Sequence, residues 1–204
     1  MTPELITHFG PIDIYLFDQL LRGRITPAMR VLDAGSGAGR NLIYLLKAGF
    51  EVFAADGDPA AIASLHDMAA TLAPHLPADN FRAEPVEGMS FPAESVEVVL
   101  SVAVLHFARD TRHFDEMLQR MWKILKPGGL CFCRLASSIG MEEKVTPIEG
   151  RWFRLPDGSE RFLVDEAMLL DRTRELGAEL LDPLKTTLVQ GKRAMTTWIV
   201  RKPA

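Results

Sequence analysis

The sequence predicts an α/β protein, a three-layer sandwich in which helices cover both faces of a mostly parallel sheet. Three observations carry that expectation. Short apolar runs of strand type alternate with segments of helical periodicity over the first 135 of 204 residues. The run Val96-Glu-Val-Val-Leu-Ser101 is almost continuously apolar, as a strand buried on both faces should be. Residues 29–41, Met-Arg-Val-Leu-Asp-Ala-Gly-Ser-Gly-Ala-Gly-Arg-Asn, pass from an apolar strand through alternating glycines straight into a periodic segment. The length suits one domain, residues 1–204.

In chain order, residues 1–10 form a short lead. A helix follows from about Ile12 to Leu21, with Ile12, Tyr15, Leu16 and Leu20 on one face, and residues 1–25 together make a helical cap. Val31 and Leu32 end the first strand, and Leu42, Leu45 and Leu46 with Gly49 as a stop mark the first crossover helix. The second strand ends at Asp56. Asp58-Pro59 then caps a second helix through Leu72, which Pro74 and Pro77 break. Phe81–Val86 reads as a third strand and Val96–Ser101 as a fourth. Asp110 caps a helix striped by Phe114, Met117, Leu118, Met121, Trp122 and Leu125, a pattern of core packing. The turn Lys126-Pro-Gly-Gly129 precedes a fifth strand, Leu130–Leu135. Residues 140–163 form an insertion with a hairpin about Pro156-Asp157-Gly158. Asp165 caps the last helix, Gly177 ends it, and Leu180–Val189 pairs with Met195–Arg201 around Gln190-Gly191.

The chemistry concentrates in the glycine loop. Alternate glycines allow positive φ and close approach of a ligand, and the following helix start offers unpaired N–H groups. A dinucleotide fingerprint would need a glycine at position 40, where Arg40 stands, and Arg40-Asn41 replaces the Lys-Ser/Thr pair of a triphosphate loop. Asp33, two residues before Gly35, would repel a pyrophosphate but suits a ligand carrying positive charge. Asp56, at the tip of the second strand, is placed to accept hydrogen bonds from both hydroxyls of a ribose.

With Asp33-Ala-Gly-Ser-Gly-Ala-Gly39 and Val52-Phe-Ala-Ala-Asp56, the chain resembles the class I S-adenosylmethionine-dependent methyltransferases over roughly residues 28–135. The Gly39-Arg40-Asn41 continuation is most similar to the tellurite and thiopurine methyltransferase-like branch. The resemblance implies a Rossmann-like, seven-stranded sheet of order 3-2-1-4-5-7-6 with strand seven antiparallel, and S-adenosylmethionine as cofactor. It implies cofactor contacts from Asp33, Gly35, Ser36, Gly37, Gly39, Arg40 and Asn41 in the loop, and from Asp56 and Gly57 at the second strand tip. Val86 and Glu87 would meet the adenine, although Pro85 displaces the usual acidic order, and Ser101 would close the site from strand four.

The expected function is methyl transfer to a small-molecule acceptor. Such a reaction needs alignment rather than a catalytic triad. His106, just beyond strand four, is the candidate base where the accepting atom must lose a proton, with a backbone-bonded structural histidine as the alternative. Substrate contact is expected from His8 and Tyr15 on the cap, Arg134 near the end of strand five, and Arg151 and Trp152 on the hairpin, acting as a lid over an acidic acceptor. An internal ion pair for Arg134 is the competing reading. Two other functions stay open: a non-catalytic S-adenosylmethionine-binding module, and a nicotinamide-dependent oxidoreductase that leaves Asp33 and Arg40 unexplained.

A net charge of −4 with scattered basic residues argues against a nucleic-acid substrate. Cys131 and Cys133 are too close on one strand for an ordinary disulfide, and the five histidines show no metal-ligand spacing, so no metal is expected. No 18-residue apolar run and no signal-peptide pattern occurs, which makes a cytoplasmic protein without a membrane partner, monomeric or homodimeric, the default.

Overall fold

The computed structural model describes residues 3–204, so the first two residues of the expected cap lie outside the described residues. The chain runs α1 (Pro3–Phe9), α2 (Ile14–Leu21), β1 (Arg30–Ala34), α3 (Ile43–Lys47), β2 (Glu51–Asp56), α4 (Pro59–Leu72), β3 (Phe81–Ala83) and β4 (Val96–Val102). It continues with α5 (Thr111–Ile124), β5 (Leu125–Ala136), β6 (Thr146–Glu149), β7 (Trp152–Arg154), β8 (Glu160–Phe162), α6 (Glu166–Glu175), β9 (Glu179–Leu180), β10 (Lys185–Val189) and β11 (Arg193–Arg201). Aspartates start four helices: Asp13, Asp58, Asp110 and Asp165 each accept from a backbone N–H of the first turn.

The main sheet has the order β3-β2-β1-β4-β5-β11-β10, with β11 antiparallel to both neighbours. This is the expected 3-2-1-4-5-7-6 arrangement, with one addition. The strand expected over Leu180–Val189 is split into β9 and β10, both paired with β11, giving eight strands in all. The break contains Pro183, which has no N–H for the ladder. Gln190 and Gly191, at the centre of the turn closed by Lys192 N–H to Val189 O at 2.9 Å, both have positive φ, 50° and 62°, the backbone of a type I′ turn.

Other differences are local. Residues 1–10 were expected as a lead, yet Pro3–Phe9 is helical. The third strand stops at Ala83, and Val86–Gly88 is a 3-10 turn, since Pro85 cannot donate to a ladder. Lys126-Pro-Gly-Gly129 is a bulge inside β5: Val96 faces Leu125 and Val98 faces Leu130. The insertion is a three-stranded sheet, β6-β7-β8, rather than a hairpin alone.

The sheet is buried on both faces, as β4 shows directly. Val96 and Val99 join the core under α5 and α6, while Val98, Leu100 and Val102 join the core under α2, α3 and α4. Trp198 of β11 is fully buried, and its indole N–H donates to Thr173 Oγ1 at 2.9 Å, so the large apolar area costs no orphaned polar group. Cys131 and Cys133 are buried thiols with sulfurs 3.7 Å apart; their mutual hydrogen bond and burial hold the Cys133 thiol well above its usual range. Because β1, β2, β4 and β5 are parallel, their carboxyl ends open along one edge.

Candidate active site

At that edge lies a cavity of about 800 Å³. Its floor is the loop after β1, where Gly35 N–H and Ser36 N–H both donate to Ala55 O, at 2.8 and 3.1 Å. Gly37 N–H then donates to Asp56 Oδ2 at 2.7 Å, and Asp58 N–H to Asp56 Oδ1 at 2.9 Å. The second strand's terminal carboxylate thus anchors the loop of the first. Gly35, Ser36, Gly37, Arg40, Asp56, Gly57, Val86 and Glu87, all predicted from sequence, line the cavity.

The three loop glycines have positive φ for different reasons. A Cβ on Gly35 would stand 2.5 Å from Val104 Cγ2, and one on Gly39 would meet Leu65 and Met68 at 2.6 Å, so both are packing glycines. Gly37 faces open space, which is the cavity itself. Of the three, only Gly37 has no atom within 4 Å of an added Cβ.

Asp33 lies beneath the loop, 1% exposed, and neither carboxylate oxygen has a hydrogen-bond partner. Burial raises its pKa to about 7; Arg40 opposes the rise and Asp56 adds to it. It does not line the cavity.

Five further expected site residues lie outside this lining. Gly39, Asn41 and Ser101 do not line the cavity. Asn41 is 3% exposed and its Oδ1 accepts from Asp13 N–H at 3.0 Å, which ties α2 to the loop, and Ser101 is 1% exposed within the sheet. His8 packs edge-on against Phe9 and Tyr44, away from the cavity lining. Tyr15 bonds Thr187 Oγ1 through its hydroxyl at 2.8 Å and lies under Arg134, holding α2 to β10.

Arg134 donates to Asp13 Oδ2 at 2.6 Å, where Asp13 has a side chain 3% exposed. The internal ion pair therefore claims this guanidinium. Arg134→Met is expected to cost roughly 1–3 kcal/mol of stability, because it strands a buried carboxylate that keeps only backbone donors. Urea unfolding reads this directly, and an unchanged midpoint would show that the pair is dispensable.

His106 differs from the expected base in its tautomer. Its Nδ1 accepts from Ala136 N–H at 3.2 Å, so the neutral ring carries its proton on Nε2. Burial, reinforced by Arg161, lowers its pKa to about 4, which keeps the ring neutral. It offers a donor and has no free lone pair for a proton. Arg151 pairs with Asp165 at 3.0 Å and Trp152 Nε1 donates to Arg109 O at 2.7 Å, beside a separate cleft of about 570 Å³. These two contacts brace the insertion against the starts of α6 and α5 and do not reach the 800 Å³ cavity.

Nine lining residues escaped the sequence reading, His113 and Phe107 among them. His113 lines the cavity with its Nε2 3.1 Å from Glu87 Oε1, while Nδ1 accepts from Arg109 N–H. Helical periodicity assigns a face but not which end of α5 abuts the 86–88 turn. Phe107, 54% exposed, also lines the cavity, and its place just after β4 was the available signal. Among the described residues, no three His, Cys, Asp or Glu side chains cluster as a metal site, and no helix is long and apolar enough to cross a membrane.

Residues 32–133, half of the chain, match the methyltransferase domain family. The uncharacterized methyltransferase YodH of Bacillus subtilis (strain 168) is 34% identical over 105 residues, 52% of this chain and 42% of its own length. The chain spans less than half the length of the curated relatives it matches. Among solved structures, a SAM-dependent methyltransferase from Methanosarcina mazei superposes with a TM-score of 0.72 at 19% identity, covering 90% of this chain and 97% of that one. The Burkholderia thailandensis 1,6-didemethyltoxoflavin-N1-methyltransferase, solved with 1,6-didemethyltoxoflavin and S-adenosylhomocysteine, gives 0.67 at 21% identity, with coverages of 93% and 76%. The glycine loop anchored by Asp56, the sheet order and the matched segment 32–133 converge on one conclusion: the chain belongs to the methyltransferase domain family, within the class I S-adenosylmethionine-dependent methyltransferases.

Proposed function

We propose that the protein binds S-adenosylmethionine in the 800 Å³ cavity and transfers its methyl group to a small-molecule acceptor. One observation carries this reading: the open space beside Gly37 adjoins the Asp56 carboxylate, so a backbone cradle and an anionic acceptor share one wall. Asp56 already takes two N–H bonds but keeps acceptor capacity for ribose hydroxyls. The wall presents carboxylates rather than a cluster of cations, which suits a cofactor with ammonium and sulfonium and disfavours pyrophosphate.

Bound S-adenosylmethionine supplies a methyl activated by the sulfonium, whose transfer leaves the bonding electron pair on sulfur and makes one new bond from an acceptor lone pair. The chain's own task is to bind, orient and exclude water. Asp56 holds the sugar side and Gly37 admits the ligand to the backbone. Glu87, with His113 beside it, lines the far end. A second chamber of about 300 Å³ shares Ala103 with the cavity, a size that favours a small acceptor over a polymer.

Labelled S-adenosylmethionine should bind while NADH does not, and turnover to S-adenosylhomocysteine with a small-molecule panel should follow. Binding of NADH in its place would sink the reading. Asp56→Ala should weaken S-adenosylmethionine binding by roughly 1–3 kcal/mol in a folded protein, through loss of an ionised acceptor. Unchanged affinity by calorimetry would remove Asp56 from the site.

A further inference from the structure

The chamber next to the cofactor cavity has its own charge pattern. Ala103 and His106 form one side, Arg134 the end of β5, Asp157 and Arg161 the insertion, and Arg193 the start of β11. Ala103 has φ 64°, a conformation an alanine rarely adopts, and its N–H donates to Arg134 O at 2.7 Å. This turn sends Val104 back over Gly35 and leaves His106 facing the chamber.

Arg134 is neutralised by Asp13. Asp157 is satisfied by the N–H and hydroxyl of Ser159, at 3.0 and 2.6 Å, which hold its carboxyl below the usual carboxylate range. Arg161 donates to the carbonyl of Glu160 and lies 4.9 Å over the ring of Phe107. Neither Arg161 nor Arg193 forms an ion pair among the described residues. Two guanidiniums therefore face one carboxylate; Arg193 is exposed, while the half-buried Arg161 calls for a counter-charge. His106 adds an uncharged donor, its Nε2–H, on the wall toward the cofactor.

We infer that this chamber receives the methyl acceptor and that the acceptor is a small carboxylate or comparable oxyanion, paired with Arg161 and Arg193 and accepting a hydrogen bond from His106 Nε2. This rests on the methyl-transfer reading and moves the anion contact expected of Arg134 to two arginines that sequence pattern left unassigned. Guanidinium forks match a planar carboxylate in geometry as well as charge.

The test titrates matched acids and primary amides (benzoate and benzamide, phenylacetate and phenylacetamide, hexanoate and hexanamide) into the protein saturated with S-adenosylhomocysteine. At least one acid should bind tenfold or more tightly than its amide. Arg161→Met and, separately, Arg193→Met at the exposed start of β11 should each erase most of that preference while S-adenosylhomocysteine affinity stays within twofold. Amides binding as well as acids, no acid binding, or variants that keep the preference would each overturn the assignment. Failure of S-adenosylhomocysteine itself to bind would instead overturn the cofactor reading, so the two failures are distinct.

Discussion

Gly37→Val is expected to abolish cofactor binding in a protein that still folds. Gly37 has φ 52°, and a Cβ there meets no protein atom within 4 Å. The branched side chain would project into the cavity, while the φ would cost on the order of 1–3 kcal/mol of folding free energy. Gly35→Ala makes the contrasting control, because its Cβ would strike Val104 at 2.5 Å and damage the fold first. We expect an affinity loss of at least about a hundredfold, some 3 kcal/mol, for Gly37→Val. Calorimetry with S-adenosylmethionine, alongside a circular dichroism spectrum, reads both properties. A folded variant with wild-type affinity would move the ligand off this loop.

Asp33→Asn is expected to stabilise the protein above neutral pH and leave it nearly unchanged in acid. The folded-state pKa of about 7 stands above the ordinary value of 3.8, so the folded protein holds this proton more tightly than the unfolded chain. The associated stability is fully present below pH 3.8 and is lost as pH rises through about 7. An amide does not titrate, so the variant's advantage should grow over that window to on the order of 4 kcal/mol by pH 8. Paired urea unfolding across pH 4–8 measures it as a difference in which the other carboxylates cancel. A difference independent of pH would show that Asp33 stays ionised in the fold. A carboxylate that weakens the fold at neutral pH while it feels the opposed charges of Arg40 and Asp56 is expected of a site residue.

The architecture was legible where local rules and global packing agree. Aspartates at 58, 110 and 165 cap helices in both readings, and the apolar run through β4 is buried on both faces. Asp56 could be placed because a strand-end carboxylate in a βαβ unit has one edge to face. The split of the last edge strand was legible in principle at Pro183, but its extent depends on which residues of β11 are free to pair.

Side-chain partners were a different matter, since they depend on contacts between residues far apart in the chain. Arg134 and Asp13 are 121 positions apart, and only the seating of α2 on the carboxyl edge joins them. His106 became a donor because Ala136 N–H, 30 positions away, takes its Nδ1. Periodicity and spacing determined the strands, the caps and the glycine loop, because those follow from backbone geometry within one βαβ unit. Which arginines pair internally was decided by the insertion and the β10–β11 turn closing over β5, for burial and ion pairing are properties of the assembled edge.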